Sequence, residues 1–216
     1  MIVLAELSFD CTDVQPQPYG AGPTLVFRLK VAEMNAVPIH AMALRCQIRI
    51  EPQRRRYSGE EPELLSALFG DPSRWGETLK PIQFTSVSTV VSTFTGSTEV
   101  ELQVPCSYDL DVTAGQYFHS LRDGVVPFDL MFSGTVFGKG DNGFWVEQVP
   151  WHLSARYQMP VSVWWELIDT YFPGMSWLKL ERSTVDELQR YKARNALPSW
   201  DAVLGTLLEG AGEMRE

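Results

Sequence analysis

The chain has 216 residues, a formal net charge of −9 and a pI near 4.9. Its content of 44% hydrophobic and 21% charged residues is ordinary for a globular protein that buries a core without disulfides or a structural metal. The acidic balance argues against nucleic acid as a general partner, because neutralising phosphates requires a basic face. No run approaches 18 apolar residues, so no membrane span is predicted.

The first two thirds of the chain alternate between apolar and polar residues, which is the period of a β-strand. Residues 2–9 predict a first strand, the Pro/Gly-rich residues 10–23 predict a loop, and residues 24–33 predict a second strand. The N-terminus has no basic residue before its apolar part, so it is not typical of a signal peptide and favours a cytoplasmic protein.

The strand from Ala41 to Glu51 shows the clearest alternation in the chain. Arg45, Gln47 and Arg49 fall on one face, which indicates an antiparallel strand with one solvated and one buried side. The residues predicted to be buried are Met42, Leu44, Cys46, Ile48 and Ile50.

The middle of the chain predicts a mixture of short helices and strands. Residues 60–69 and 113–121 indicate short helices, and residues 84–94 and 97–110 indicate two strands with a turn at Gly96 between them. A hairpin is predicted from 125–138 to 144–151, since the sequence KGDNG between these segments is prone to turn.

The pattern becomes helical after Trp151. Residues 160–171 predict a mostly buried helix whose polar stripe is Ser162, Glu166 and Asp169. Residues 183–197 predict a second helix, opened by overlapping cap patterns, and Ser199 is expected to cap a third. The predicted fold is α+β: antiparallel, sandwich-like sheets of seven or eight strands in residues 1–151, followed by a C-terminal helical section in residues 152–216. We expect that section to pack on the sheet within one compact domain.

Three consecutive arginines, Arg54, Arg55 and Arg56, follow the clearest strand. One interpretation is a solvated turn with local ion pairs, each contributing roughly 0–1 kcal/mol. A second is a docking surface for an anionic partner protein, and the third is a phosphate or nucleic-acid site, which no Gly-rich loop supports. The carboxylates available for local pairing are Glu60, Glu61 and Glu63.

The histidines and cysteines do not form a recognisable ligand pattern, so no metal, cofactor or catalytic residue is predicted. Cys106 and His119 flank one loop-and-helix unit, which leaves a metal site or a Cys–His pair as alternatives. The odd number and wide spacing of the cysteines favour free thiols in a reducing compartment. These residues are His40, His119 and His152 with Cys11, Cys46 and Cys106.

Six of the seven tryptophans lie at or after residue 145, which indicates either helices packed on a sheet or an aromatic groove or interface. Within the segment PGMSWLKL, Trp177 and Leu180 point to opposite faces of an extended chain. We therefore predict that Trp177 is partly exposed and serves as an aromatic anchor for a protein partner.

Several segments carry a family resemblance, among them GPTLVFRL, ALRCQIRIEPQRRRYS, LFGDPSRWGETL and MPVSVWWELIDTYFPGMSWLKL. Through them the chain resembles an uncharacterised, mainly actinobacterial protein family of about this length. The resemblance implies that the gene is similar to genes found beside those for high-affinity, oxygen-tolerant nickel–iron hydrogenases. The resemblance implies an accessory or assembly role near that enzyme and transfers no catalytic residue.

The resulting hypothesis is a non-catalytic cytoplasmic accessory protein that binds a hydrogenase subunit or maturation factor. The alternatives are a small enzyme or ligand-binding protein, with a pocket between the sheet and the aromatic C-terminal helices, and a structural scaffold within a larger complex. An enzyme should have a deep pocket with convergent polar groups whose pKa values are shifted. A docking protein should expose an apolar or aromatic patch.

Overall fold

The computed structural model describes residues 5–106, 112–140, 143–175 and 180–213. Its contacts divide the chain into two compact units, Met1–Pro173 and Gly174–Glu216. All the strands in the described residues belong to the first unit, and the α+β class with antiparallel sheets is confirmed.

Sheet A has three antiparallel strands in the order β1-β2-β5: β1 (Leu7–Pro16), β2 (Thr24–Glu33) and β5 (Ser97–Pro105). The prediction of a loop from residue 10 is wrong at its start, because β1 continues to Pro16. A register shift between Cys11 and Asp13 allows both Cys11 and Val14 to be buried, which disturbs the simple alternation.

Sheet B has five strands, of which four follow the order β4-β3-β6-β7, and β8 pairs with the first half of β6. The predicted hairpin is confirmed as β6 paired with β7. Gly96 has φ +76°, as a turn requires, but the strands on either side of it belong to different sheets. The strand bounds are β3 (Ile39–Ile50), β4 (Ile82–Val91), β6 (Val125–Gly140), β7 (Gly143–Gln148) and β8 (Ser154–Pro160).

The core of the first unit lies between the two sheets. Phe9 of sheet A stacks on Phe132 of sheet B with ring centroids 4.2 Å apart, and Phe27 meets Phe128 edge-on at 5.4 Å. The five predicted core residues of β3 are all buried, so its assigned inner face is confirmed. Such aromatic pairs add about 0.5–1.5 kcal/mol each beyond the burial of their area.

The described residues of the first unit form four helices: α1 (Glu61–Phe69), α2 (Trp75–Thr78), α3 (Val112–His119) and α4 (Val161–Tyr171). The amphipathic prediction for α4 is confirmed, since Trp164 is buried and stacks on Phe118 at 4.2 Å, while Ser162, Glu166 and Asp169 are exposed. Two 3₁₀ turns, Pro52–Arg54 and Pro72–Arg74, precede α1 and α2.

The second unit contains α5 (Arg182–Arg194) and α6 (Trp200–Glu213). The predicted cap of α6 is confirmed, because Ser199 Oγ accepts a hydrogen bond from the Ala202 N–H at 3.1 Å. The predicted cap of α5 is wrong: its N-cap is Glu181, whose side chain makes no capping bond. None of the described helices combines the length and apolar character that crossing a membrane requires.

Candidate functional site

The three predicted arginines have different environments. Arg54 and Arg56 are exposed, whereas the side chain of Arg55 is only 4% exposed and forms an ion pair with Glu61, itself 2% exposed. The local pairing expected from the sequence exists for Arg55, but it is buried. A solvated turn therefore describes Arg54 and Arg56 and does not describe Arg55, and a docking role for the exposed pair stays a prediction.

The buried ion pair joins the start of α1 to the segment before β6. Arg55 Nη1 donates to the Val125 carbonyl at 2.9 Å, and Glu61 accepts from the Arg122 N–H at 2.9 Å and the Ser58 N–H at 3.4 Å. Burial raises the pKa of Glu61, but these hydrogen bonds and the charge of Arg55 outweigh it, so the pKa lies below its ordinary value. The pair therefore acts as a charged structural link.

Two tyrosines extend this buried cluster. The hydroxyls of Tyr57 and Tyr117 are 2.9 Å apart, and Tyr57 also donates to the Pro52 carbonyl at 2.9 Å. Burial raises both pKa values, that of Tyr57 to about 12 and that of Tyr117 further. Both hydroxyls are therefore neutral near pH 7 and serve as hydrogen-bonding groups within the core.

Trp177, the other predicted docking residue, lies outside the described residues, and its role stays a prediction. The described tryptophans divide between core and surface. Trp164 is buried, while Trp151, which follows β7, is 89% exposed. An exposed indole of this size is the kind of side chain that anchors protein interfaces.

The outer face of sheet B, meaning its solvent-facing side, is basic. The strand registers place four cations and one carboxylate there, a formal local charge of +3 in a chain of −9. Arg49 pairs with Asp129 at 3.7 Å, and Arg156 lies directly opposite the same residue on β6. No carboxylate in the part of the chain that the structure describes pairs with Arg45. The charged residues of this face are Arg45, Arg49, Asp129, Lys139 and Arg156.

The outer face of sheet A has the opposite arrangement. Arg28 pairs with Glu101 at 3.7 Å, and Lys30 lies directly opposite Asp10 on one neighbouring strand and Glu99 on the other. Cross-strand pairs of opposite charge stabilise a solvated sheet face. Each cation in the middle of sheet A therefore has a carboxylate directly across from it. On sheet B this holds for Arg49 and Arg156, which both lie opposite Asp129, and not for Arg45, which remains available to an external anion.

A cleft of about 530 Å³ opens on the outer face of sheet B. Arg45 lines it, and its Nε donates to Ser86 Oγ at 3.0 Å, which orients the guanidinium and leaves its two terminal amino groups for another acceptor. Gln47 Nε2 donates to Gln83 Oε1 at 2.5 Å on the same face. The cleft is lined by Arg45, Gln47, Gln83, Ser86, Met131, Phe132, Ser133, Val149 and Trp151.

The same face carries exposed apolar side chains towards the end of β6. Phe137 lies opposite Val146 on β7, and the two are partly exposed. Phe144, also exposed, has the Lys139 ammonium 6.0 Å from its ring centroid. On the other flank Val90 of β4 is 71% exposed. Apolar and aromatic groups beside unpaired cations favour binding of a macromolecular surface.

The chemistry available in the cleft is recognition. Of its lining side chains, only Arg45 carries a charge, and the remainder are two amides, two hydroxyls, a thioether, an indole and the apolar Phe132 and Val149. Within the described ranges, no three His, Cys, Asp or Glu side chains gather as metal ligands would. The alternation of β3 identified the solvated face, but it could not show that the partners of Arg45 on β4 and β6 would be serines.

The chain belongs to a family of unknown function, DUF6084, whose model matches residues 4–216. No curated protein matches the chain. Among solved structures, it is similar to a β-glucosidase from Paenibacillus barengoltzii, with 13% identity and a TM-score of 0.28. That match covers 68% of this chain and 19% of the β-glucosidase chain, so this protein spans about a fifth of the length of that enzyme.

Proposed function

We propose that this protein is a non-catalytic accessory protein that binds an acidic surface of another protein through the outer face of sheet B. The observation that carries the proposal is Arg45, which lies between two serines with no carboxylate opposite it, on an aromatic-edged face of an otherwise acidic chain. The remaining surface of the chain is strongly negative, so an acidic partner would be drawn to this face and repelled elsewhere.

The composition of the face also supports a protein partner. Interfaces are enriched in arginine, methionine and aromatic residues, and hot spots are most often Trp, Tyr or Arg. The cleft places Arg45, Met131 and the exposed Trp151 together. A nucleic acid would require more phosphate neutralisation than four cations supply, and the rest of the chain would repel it.

We further propose that the partner is a subunit or maturation factor of a nickel–iron hydrogenase and that the two meet in the cytoplasm. The support for this partner is the resemblance of the sequence to proteins encoded beside such hydrogenases. An accessory role agrees with a recognition cleft whose described side chains offer hydrogen bonds and one guanidinium. None of the described groups with a shifted pKa lines the cleft: Glu61 and Tyr117, for example, lie in the core, and Asp71 is on the surface elsewhere.

The experiment is affinity purification of the tagged full-length protein from cells of its source organism, with quantitative mass spectrometry of what co-purifies. Arg45→Glu should reduce recovery of the specific partner about tenfold, equivalent to ~1.4 kcal/mol. Lys80→Glu is the matched control, because it makes the same charge change at an exposed residue outside both sheets and should leave recovery unchanged.

Two further variants locate the interface. Arg54→Glu combined with Arg56→Glu tests the exposed arginines of the turn, and Trp177→Ala tests the predicted aromatic anchor. Loss of the partner in either of these, with full retention in Arg45→Glu, would move the interface away from sheet B and overturn the proposal. Equal loss in Arg45→Glu and Lys80→Glu would show that only the overall charge matters, which would also overturn it.

A further inference from the structure

The edge strands of the two sheets differ in how well they are protected against pairing with another chain. An edge strand presents unpaired backbone N–H and C=O groups, and proteins normally protect them with charges, prolines, bulges or short strands. In the described residues the edges are β1 and β5 in sheet A and β4, β7 and β8 in sheet B.

Four of these five strands carry such protection. β1 has a register shift after Cys11 and two carboxylates, and β5 has two glutamates. β7 has only six residues, and β8 has only seven with a charge within it. The protecting residues are Asp10, Asp13 and Pro16 in β1, Glu99, Glu101 and Pro105 in β5, Glu147 in β7, and Arg156 and Pro160 in β8.

β4 lacks most of this protection. Its sequence, IQFTSVSTVV, contains no charge and no proline. After a register shift at Phe84, the residues from Thr85 to Val91 pair regularly with Met42–Ile48 of β3. β3 is the only described strand that pairs with β4, so no described strand is hydrogen-bonded to the other edge of β4. A regular, uncharged run of Thr, Ser and Val is a good template for one more strand.

We propose that β4 accepts an extended, acidic segment of the partner protein as an additional strand of sheet B. This inference rests on the proposed function and specifies how the partner is held. Backbone hydrogen bonds along the β4 edge would supply affinity that does not depend on sequence, and alternate side chains of the added strand would supply specificity.

The position of Arg45 is the reason for an acidic occupant. Arg45 lies directly opposite Ser88, and its Nε bond to Ser86 holds the guanidinium over β4, towards the edge that faces away from β3. An added strand would lie about 4.8 Å beyond β4. A glutamate on its outer face, level with Ser86 or Ser88, would then meet the two free amino groups of Arg45, a geometry suited to bidentate carboxylate binding.

The inner face of β4 indicates which residues the added strand should carry on its inner, core-facing side. Val87 and Thr89 point to the core side and are only half-buried, and no described strand pairs with β4 beyond them. Apolar, β-branched residues on the inner side of an added strand would cover them. The expected segment therefore alternates acidic and β-branched residues.

A second copy of the chain is a weaker occupant of the same edge. A two-fold β4–β4 pairing would place the Arg45 side chains of both copies on one face of the joined sheet, with no carboxylate from either β4 strand between them. Charge complementarity thus favours a foreign acidic segment.

The test uses a fluorescent, end-capped octapeptide of alternating glutamate and valine, titrated into the full-length protein and followed by anisotropy. We expect saturable binding that weakens as salt is raised. A peptide with lysine in place of glutamate should bind at least tenfold more weakly. A peptide with a central proline should also bind at least tenfold more weakly, because proline cannot donate a backbone hydrogen bond. That comparison requires no change to the protein.

The matched protein variants are Thr89→Lys and Thr98→Lys, both at half-buried positions of edge strands, one in β4 and one in β5. A lysine at the inner side of an edge strand blocks strand addition. Thr89→Lys should weaken peptide binding at least tenfold, and Thr98→Lys should not. Peptide binding should also slow amide hydrogen exchange in β4.

The outcomes separate this inference from the proposed function. No binding of the glutamate peptide to wild-type protein, or unslowed exchange in β4, would overturn strand addition. Peptide or partner binding that survives Thr89→Lys but is lost in Arg45→Glu would also overturn strand addition. It would still support docking on the outer face of sheet B. A dimer in sedimentation analysis that Thr89→Lys dissociates would make the second copy the occupant. If neither Thr89→Lys nor Arg45→Glu affects recovery of the partner, the proposed function itself is wrong.

Discussion

Replacing Glu61 with glutamine removes one charge of the buried ion pair and leaves the shape of the side chain nearly unchanged. Arg55 would then keep its bond to the Val125 carbonyl, but its guanidinium would be buried without a counter-charge. We expect Glu61→Gln to lower the free energy of unfolding substantially, because an uncompensated buried charge is far more costly than a lost hydrogen bond.

The magnitude follows from the burial of both partners. Their side chains are 4% and 2% exposed, so solvent screening is slight, and breaking such a pair costs about 3–5 kcal/mol. Glu61 also accepts bonds from two backbone N–H groups, of which the glutamine can accept only part. For a chain of this size, the loss corresponds to a melting temperature lower by roughly 6–20 °C.

The assay is urea unfolding followed by tryptophan fluorescence, with Glu101→Gln as the matched control. Glu101 pairs with Arg28 at 3.7 Å, but that pair is 56% and 38% exposed, and its loss should cost less than about 1 kcal/mol. Equal effects of the two substitutions, or a cost below about 1 kcal/mol for Glu61→Gln, would refute the buried-pair argument.

The difference in unfolding free energy between wild type and Glu61→Gln has a defined pH dependence. The folded-state pKa of Glu61 lies below its ordinary value of 4.5, so its contribution to stability is complete above that pH and declines as pH falls through the folded-state value. The difference between wild type and Glu61→Gln should therefore be constant near neutral pH and shrink in acid. A difference that grows in acid would contradict the sign of the shift.

One further substitution and one chemical modification test the core. Ile48→Ala should cost about 2–5 kcal/mol in urea unfolding, since Ile48 is fully buried in β3, and an unchanged melting temperature would contradict that assignment. Burial raises the pKa of each cysteine thiol to about 12, so iodoacetamide at neutral pH should label the native protein slowly and the unfolded protein at all three positions. Mass spectrometry decides this, and rapid native labelling, or a disulfide among Cys11, Cys46 and Cys106, would contradict it.

The solvated faces of the sheets could be predicted from the sequence where the alternation is strict. In β3 the period of two runs through Met42, Leu44, Cys46, Ile48 and Ile50 without interruption, and every one is buried. A one-residue slip would have exposed the whole set, so the pattern leaves a single solution. The same logic identified the outer side of the strand, on which the candidate site was found.

The arginine turn shows what alternation cannot predict. Arg54, Arg55 and Arg56 are chemically identical neighbours, yet the 3₁₀ turn at Pro52–Arg54 directs Arg55 alone towards Glu61. Nothing in a run of three like residues distinguishes the middle one. Its burial depends on the Val125 carbonyl and on Glu61, which accepts from the Arg122 N–H. Val125 and Arg122 are distant in sequence and are brought close only by the fold.

β8 was missed for a related reason. Its sequence, SARYQMP, places the polar Arg156 and Gln158 between half-buried or buried residues, but it is only seven residues long and runs directly into α4 at Pro160. Tyr157 faces sheet A, where its hydroxyl lies 3.4 Å from Asp13 Oδ1. A strand whose inner residues are an alanine, a tyrosine and a methionine has a weak apolar period, and its pairing with β6 determines it.

The candidate site combines a feature that the sequence shows with one that only the topology reveals. The charge of Arg45 and its solvated side follow from alternation within β3, but the absence of a counter-charge depends on which strands lie beside it. On sheet A the neighbours of Lys30 supply Asp10 and Glu99, whereas on sheet B the neighbours of Arg45 are Ser88 and Ser133. An arginine between two serines on an open face, one strand from an unprotected edge, is stabilised by little within its own sheet. The free energy that a carboxylate could gain there is therefore available to a partner, which is why we expect binding to depend on Arg45 and the β4 edge together.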